Sequence, residues 1–328
     1  MCRGAGTTPW RAAVSGADAT PTGVVVYQGP PHTPGWFEAR AGGVTATAVA
    51  DIAVPSRYGS ALTVWARLAG HELRDEQSEA AWWGLRDEAG IAERWSLLHE
   101  VDVVETGVLR HRDIAHHRAS PDRVVPQCPG LPADSAGPCL LQIKCRSLRV
   151  EPRWADGPPS HELAQVQWEM HVTGVDHTHL AVRFDGNRLR EWRVERDDAR
   201  IAQLVWLADD VWARAHDGRP PLVDLRPEDN ELLRRIWPSP AGVAEWTPGQ
   251  AEALLANLAD AQAAKRDSTA ELELAQAAIR LALAGAGEAQ VGGRTVLRLV
   301  ETTRQYRAQP ARDAYTTTAH RIDVIGAP

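Results

Sequence analysis

Lysine is almost missing from this chain. Of 36 basic residues only Lys144 and Lys265 are lysine, and the other 34 are arginine. A chain that writes its positive charge as arginine keeps a lysine where arginine would not serve, and Lys144 sits in the apolar, strand-like run "LLQIKCRS" (140–147). Long apolar runs are also absent. None approaches the roughly 18 residues of a membrane span, and the N-terminus lacks the apolar core of a signal peptide. The expectation is a cytoplasmic protein with no membrane partner. Its four cysteines (Cys2, Cys128, Cys139, Cys145) include no C-x-x-C pair, which suits free thiols in a reducing compartment. No G-x-S-x-G elbow occurs, so a serine hydrolase finds no support. The irregular spacing of Cys128, Cys139 and Cys145 argues against zinc.

What is present is the composition of a soluble globular chain: 328 residues, 44% apolar, 24% charged, with a formal charge of -7. That charge argues against a protein that coats nucleic acid nonspecifically. Between Val101 and Arg153, however, bases outnumber acids, which reads either as a solvated face or as a local basic channel.

The expected organisation has three parts. Residues 1–33 are rich in Gly, Pro, Thr and Ala and read as a loosely ordered lead-in. Residues 34–225 alternate helical and strand-like patterns in one α/β unit. Residues 226–328 read as a helical arm, opened by a Thr-x-x-Gln capping box and Pro248, with a small β-hairpin after it.

Within the α/β unit, residues 79–98 have a helical apolar stripe of Ala81, Leu85, Ala89, Ala92 and Trp95, and Glu88 falls inside it. A carboxylate there needs a metal, an arginine or a proton to compensate it. Two strands follow, "SPDRVV" (120–125) and "CLLQIKCRS" (139–147). Alternation along the second puts Gln142 and Lys144 on one face and Leu141, Ile143 and Cys145 on the other. A helix at 160–174 and a hairpin after it complete the pattern, then a helix from Asp198 to about His216 with Trp206 and Trp212 on its inner side.

Glu88, Asp122, Gln142 and Lys144 are thus polar residues on apolar elements. Phosphodiester hydrolysis needs hard oxygen ligands for Mg²⁺ and a cation for the developing charge. A ligand and an ammonium two residues apart on a strand meet both needs at one phosphate. Arginine is a poor substitute, because its wide guanidinium is not a compact point charge.

At this point the sequence resembles the PD-(D/E)xK nucleases, and among them the YqaJ and phage lambda exonuclease family. The motifs are "SPD" (120–122), "QIKC" (142–145), "AWWGLRDE" (81–88), "AQVQWEMHVTG" (164–174), "VERDD" (194–198) and "WFEARAGGVTAT" (36–47). The likeness spans about residues 36–224. It implies a restriction-endonuclease-like core, a central mixed sheet flanked by helices. It further implies that Asp122, Gln142, Glu88 and the Ile143 carbonyl bind Mg²⁺, with Mn²⁺ as substitute, that Lys144 acts on the water, and that Gln165 orients Lys144 or the nucleophile. Arg40, Thr47, Arg57 and Ser120 match the pocket for the 5′-phosphate of a DNA end. The family further implies degradation of one strand of duplex DNA to leave a 3′ overhang, a homo-oligomeric ring trimer, and a single-strand annealing protein as partner in a phage or its bacterial host. Gln142 departs from the family's glutamate and removes one charge from the site. The alternatives are a structure-specific endonuclease on the same fold and a noncatalytic DNA-end binder.

Overall fold

The structure is a computed structural model that describes residues 20–56, 58–71, 79–129, 137–221 and 229–236, then 248–249, 252, 256, 259–269, 274, 288–291, 294–306 and 315–324. Two compact units divide the chain, Met1–Pro240 and Ala241–Pro328.

The first unit opens with strand β1 (Gly23–Tyr27) and short helices α1 (Pro34–Ala41), α2 (Ala46–Ala53) and α3 (Ala61–Leu68). The long helix α4 (Glu79–His99) leads to β2 (Val108–His111) and β3 (Arg118–Ala119), which form a three-stranded sheet with β1. The central sheet follows. It contains β4 (Arg123–Val125), β5 (Cys139–Arg146), β6 (His177–Phe184) and β7 (Arg188–Glu195) in that spatial order. β4 and β5 pair antiparallel, as do β6 and β7, while β5 and β6 run parallel with Gln142 opposite Leu180. A parallel pair needs a long crossover, and helix α5 (Ser160–Thr173) supplies it. Helices α6 (Asp198–His216) and α7 (Asp229–Ile236) close the unit. This mixed sheet flanked by helices is the expected PD-(D/E)xK core.

The two faces of the sheet carry different cores. Val124 and Leu140 pack with Val166 and Met170 of α5. Leu141, Ile143 and Ala181, on the opposite face, pack with Ile91, Ala92 and Trp95 of α4. The α5 helix is buried on nearly every side, so its apolar residues show no single stripe and it encloses Gln165, Gln167 and Glu169. It ends at Gly174, whose φ of 76° is a left-handed cap; a β-carbon there would lie 2.7 Å from Thr22 Oγ1.

Several sequence expectations are corrected here. Residues 23–27 are not lead-in but a strand, because Val24, Val25 and Tyr27 of a β-favouring run pair with β2 around an irregularity at Val26. Helix α7, expected in the C-terminal arm, packs Leu232, Leu233 and Ile236 into the core of α2, α3 and α6. The stripe of α4 is buried only from Ile91 onward: Ala81 lies exposed on an open cleft that Leu85 and Glu88 also line, and Ala89 is exposed too. Trp206 is 68% exposed rather than inward.

In the second unit, β8 (Glu288–Val291), β9 (Arg294–Tyr306) and β10 (Tyr315–Val324) form an antiparallel sheet in the order β10-β9-β8, one strand more than the expected hairpin. Residues 259–269 are helical. No helix among the described residues is long and apolar enough to cross a membrane.

Candidate active site

The central strands deliver the polar residues to one cleft of about 280 Å³, lined by Glu88, Asp122, Gln142, Lys144 and Gln165 and also by Arg40, Thr47 and Ser120. Eight of the expected site residues are therefore brought together from six parts of the chain: α1, α2, α4, the approach to β4, β5 and α5. Arg57 lies outside the described residues.

Strand pairing explains the centre of the site. Asp122 stands at the start of β4, one residue before the pair Arg123 and Leu141. Its Oδ2 accepts from the Ile143 backbone N–H at 2.6 Å and from Gln142 Nε2 at 2.7 Å. Burial nonetheless raises the Asp122 carboxyl above the ordinary aspartate range, against the pull of Lys144 and these donors. Gln142 is 2% exposed, and its Oε1 is a buried acceptor with no partner among the described residues. A buried amide oxygen beside a carboxylate that burial discourages from ionising fits a hard divalent cation.

Glu88 reaches the same cleft from α4, where Arg123 Nη1 donates to its Oε1 at 2.6 Å. Its carboxyl is raised to about 7, first by burial and then by Asp122, with Arg123 opposing. Of the three ways to compensate this glutamate, the fold uses the arginine and leaves the proton available. Arg123 itself was not singled out by the sequence pattern, since a base after "SPD" looks like an ordinary strand residue.

On the other side of Gln142, Lys144 Nζ donates to Gln165 Oε1 at 2.9 Å, and Gln165 Nε2 donates to Glu169 Oε1 at 2.9 Å. Glu169 is fully buried, with its carboxyl raised to about 8 by burial and then by Asp122. The sequence held one signal for it: Gln165 and Glu169 are four residues apart and share a helix face. Without the sheet, nothing says which face that is.

Arg40, at the end of α1, donates from Nη1 to Ser120 Oγ at 3.2 Å and stacks over Trp36 at 4.4 Å. Burial pulls its guanidinium down to about 10, while Glu169 opposes. Thr47 is exposed in the first turn of α2, whose preceding residue Thr45 accepts from the Ala48 N–H.

An aspartate entering a short strand, Q-x-K on its neighbour and an acid from the flanking helix define, on this sheet, the PD-(D/E)xK class of nuclease folds. The family model of the YqaJ-like viral recombinase domain matches residues 35–176, somewhat under half of the chain. Among solved structures, LHK-Exo in complex with dAMP is 25% identical with a TM-score of 0.47, the alignment covering 62% of this chain and 97% of that one. The alkaline exonuclease LHK-Exo from Laribacter hongkongensis gives 26% identity, a TM-score of 0.47 and the same coverage. A phage-related exonuclease from Haemophilus somnus gives 10% and 0.34, over 57% of this chain and 88% of that one. No curated protein matches the chain.

Proposed function

We propose that this chain is a divalent-metal-dependent exonuclease that degrades one strand of double-stranded DNA from a 5′ end and leaves a 3′ overhang for recombination. The observation that supports it best is the shared cleft, which holds Arg40 and Ser120 beside Asp122, Gln142 and Lys144.

Asp122, Gln142 Oε1, the Ile143 carbonyl and Glu88 are the oxygens that would hold Mg²⁺, or Mn²⁺ in its place. The ion would supply Lewis-acid polarisation of the scissile phosphate and a water of lowered pKa. Lys144, held by Gln165, presents a compact ammonium to the same position and favours the charge that develops on attack. Glu169 anchors the amide of Gln165 and so prevents it from turning its N–H₂ toward the ammonium. The Arg40 guanidinium, oriented by Ser120 and Trp36, suits the two oxygens of a terminal phosphate. Such a clamp favours an end over an unbroken duplex, and this sets exonuclease above endonuclease. By family resemblance the assembly is a ring-shaped homo-oligomer and its partner a single-strand annealing protein.

Digestion of linear duplex with and without a 5′-phosphate, against a closed circle, tests this. Loss of the linear form alone, faster with the phosphate and absent in Lys144→Ala, is expected. Cutting of circles would assign an endonuclease; no cutting in Mg²⁺ or Mn²⁺ would leave a DNA-end binder.

A further inference from the structure

On the α4 face of the central sheet, away from Gln142 and Lys144, four side chains converge that the nuclease chemistry does not use. Cys128 follows β4, Cys139 begins β5, and His177 and His179 stand two residues apart on β6, so both histidines share one face. β5 and β6 are parallel neighbours with Leu140 opposite Thr178 and Leu141 opposite His179, and this register carries Cys139 beside His177. One ligand atom from each of the four lies within 4.8 Å of all the others. Cys128 Sγ is 2.8 Å from His177 Nε2 and 3.6 Å from His179 Nε2. A tetrahedral zinc site with two thiolates and two imidazoles has sulfur-to-nitrogen edges of roughly 3.6 Å, from bonds of about 2.3 and 2.0 Å. The cluster therefore closes on an ion with small side-chain adjustments.

We propose that Cys128, Cys139, His177 and His179 form a structural zinc site. Burial, charge and outer contacts all support it. The four residues are 2, 0, 5 and 6% exposed, so no open coordination position remains for a substrate or water, as befits a structural rather than a catalytic ion. Two thiolates and two neutral imidazoles cancel the charge of Zn²⁺, which lets the site be buried against Trp95 and Leu141 without leaving a net charge there. His179 turns its Nδ1 to Glu191 Oε1 at 2.6 Å and keeps Nε2 toward the cluster, the carboxylate–histidine arrangement that orients a metal-binding imidazole. Glu191 is held in turn by His99 Nε2 at 2.8 Å.

The site has a structural task. β4 is three residues long, and ten residues rich in Gly and Pro separate Cys128 from Cys139. So short a strand gives few ladder hydrogen bonds to hold Asp122 opposite β5. An ion bridging both ends of that connection to β6 pins the hairpin that carries Asp122 and Gln142. Binding releases the two thiol protons, and no redox partner is needed.

The full chain, purified under reducing conditions, decides the matter by metal content and by exchange with Co²⁺. About one zinc per chain should survive dialysis, and the cobalt form should show thiolate-to-cobalt charge transfer together with the visible bands of a tetrahedral centre. Cys139→Ser should abolish both signals, Glu191→Gln should weaken metal affinity by about tenfold to a hundredfold, and Lys144→Ala should leave them intact. Should Cys139→Ser fail to fold, the Glu191→Gln affinity and the fall of the wild-type Tm on chelation decide instead. Absence of zinc together with absence of charge transfer in folded protein overturns the proposal, as does a disulfide between Cys128 and Cys139. The sulfur signature is independent of nuclease activity, so the two readings fail separately.

Discussion

The two faces of β5 carry two polar clusters of opposite chemistry within one strand's length. Toward α5, the cleft gathers carboxylate and amide oxygens with an ammonium, open to solvent and to a substrate. Toward α4, sulfur and imidazole nitrogen gather in a closed apolar core. Hard oxygen donors in an open cleft suit an ion that exchanges ligands with a phosphate, whereas soft donors without an open position suit an ion that only holds strands. The alternation of a single strand separates them: Gln142 and Lys144 point one way, and Cys139 and Leu141 the other.

If the two faces act independently, disabling one should leave the other intact. Asp122→Asn should cut nuclease activity by about a thousandfold or more while Tm and bound zinc stay near wild type. A parallel loss of zinc would show that the faces are not independent. Within the cleft, Arg40→Ala should lower the preference for a 5′-phosphate by roughly tenfold to a hundredfold, the worth of a charged hydrogen bond. Rates on ends without phosphate, measured on the same duplex, should change little.

Histidine supplies a second contrast. His117 is buried like His177 and His179, but its Nδ1 meets His171 Nε2 at 2.9 Å and its Nε2 meets Asp209 at 2.9 Å, and among the described residues its cluster with His116 and Asp209 includes no cysteine. Burial holds His117 down at about 4 against an ordinary value of 6.5, despite Asp209. Between those values the unfolded chain binds a proton that the folded chain refuses, so stability is full above about pH 6.5 and falls as the pH drops. Urea unfolding should show about 2 kcal/mol less stability at about pH 5 than at about pH 8 from this residue alone. His117→Phe should reduce that slope without removing it, because burial also holds His171 down, to about 3.

The smallest effect sharpens the oxygen face. Gln142→Glu restores the family's carboxylate and should lower the Mg²⁺ concentration needed for half-maximal rate by about tenfold, since the site gains one charge. Part of that gain is offset, because Asp122 loses the Gln142 amide donor.

Much of the cleft was legible beforehand, since it depends on local rules. Strand alternation placed Gln142 and Lys144 together, helical periodicity placed Glu88 toward the site, and "SPD" marked where β4 begins. Arg123 escaped notice because its role is a contact with α4, which no spacing encodes. Glu169 escaped because α5 is buried all round, which erases the apolar stripe that would separate its inner face. The lead-in failed for a simpler reason: the Gly and Pro content around Val24–Val26 outweighed a short β-branched run that finds its partner more than eighty residues later.

The zinc question marks the boundary most clearly. Local sequence sets the face of each residue along its own strand, because a side chain's direction follows from a period of two. It also led to rejecting Cys128, Cys139 and Cys145 as ligands on their irregular spacing. That β6 lies beside β5, in the register that carries His177 and His179 to Cys128 and Cys139, comes from the packed fold. Strand order arises from how the sheet buries its two faces against α4 and α5, which is a property of the whole packed core and not of any local run of residues.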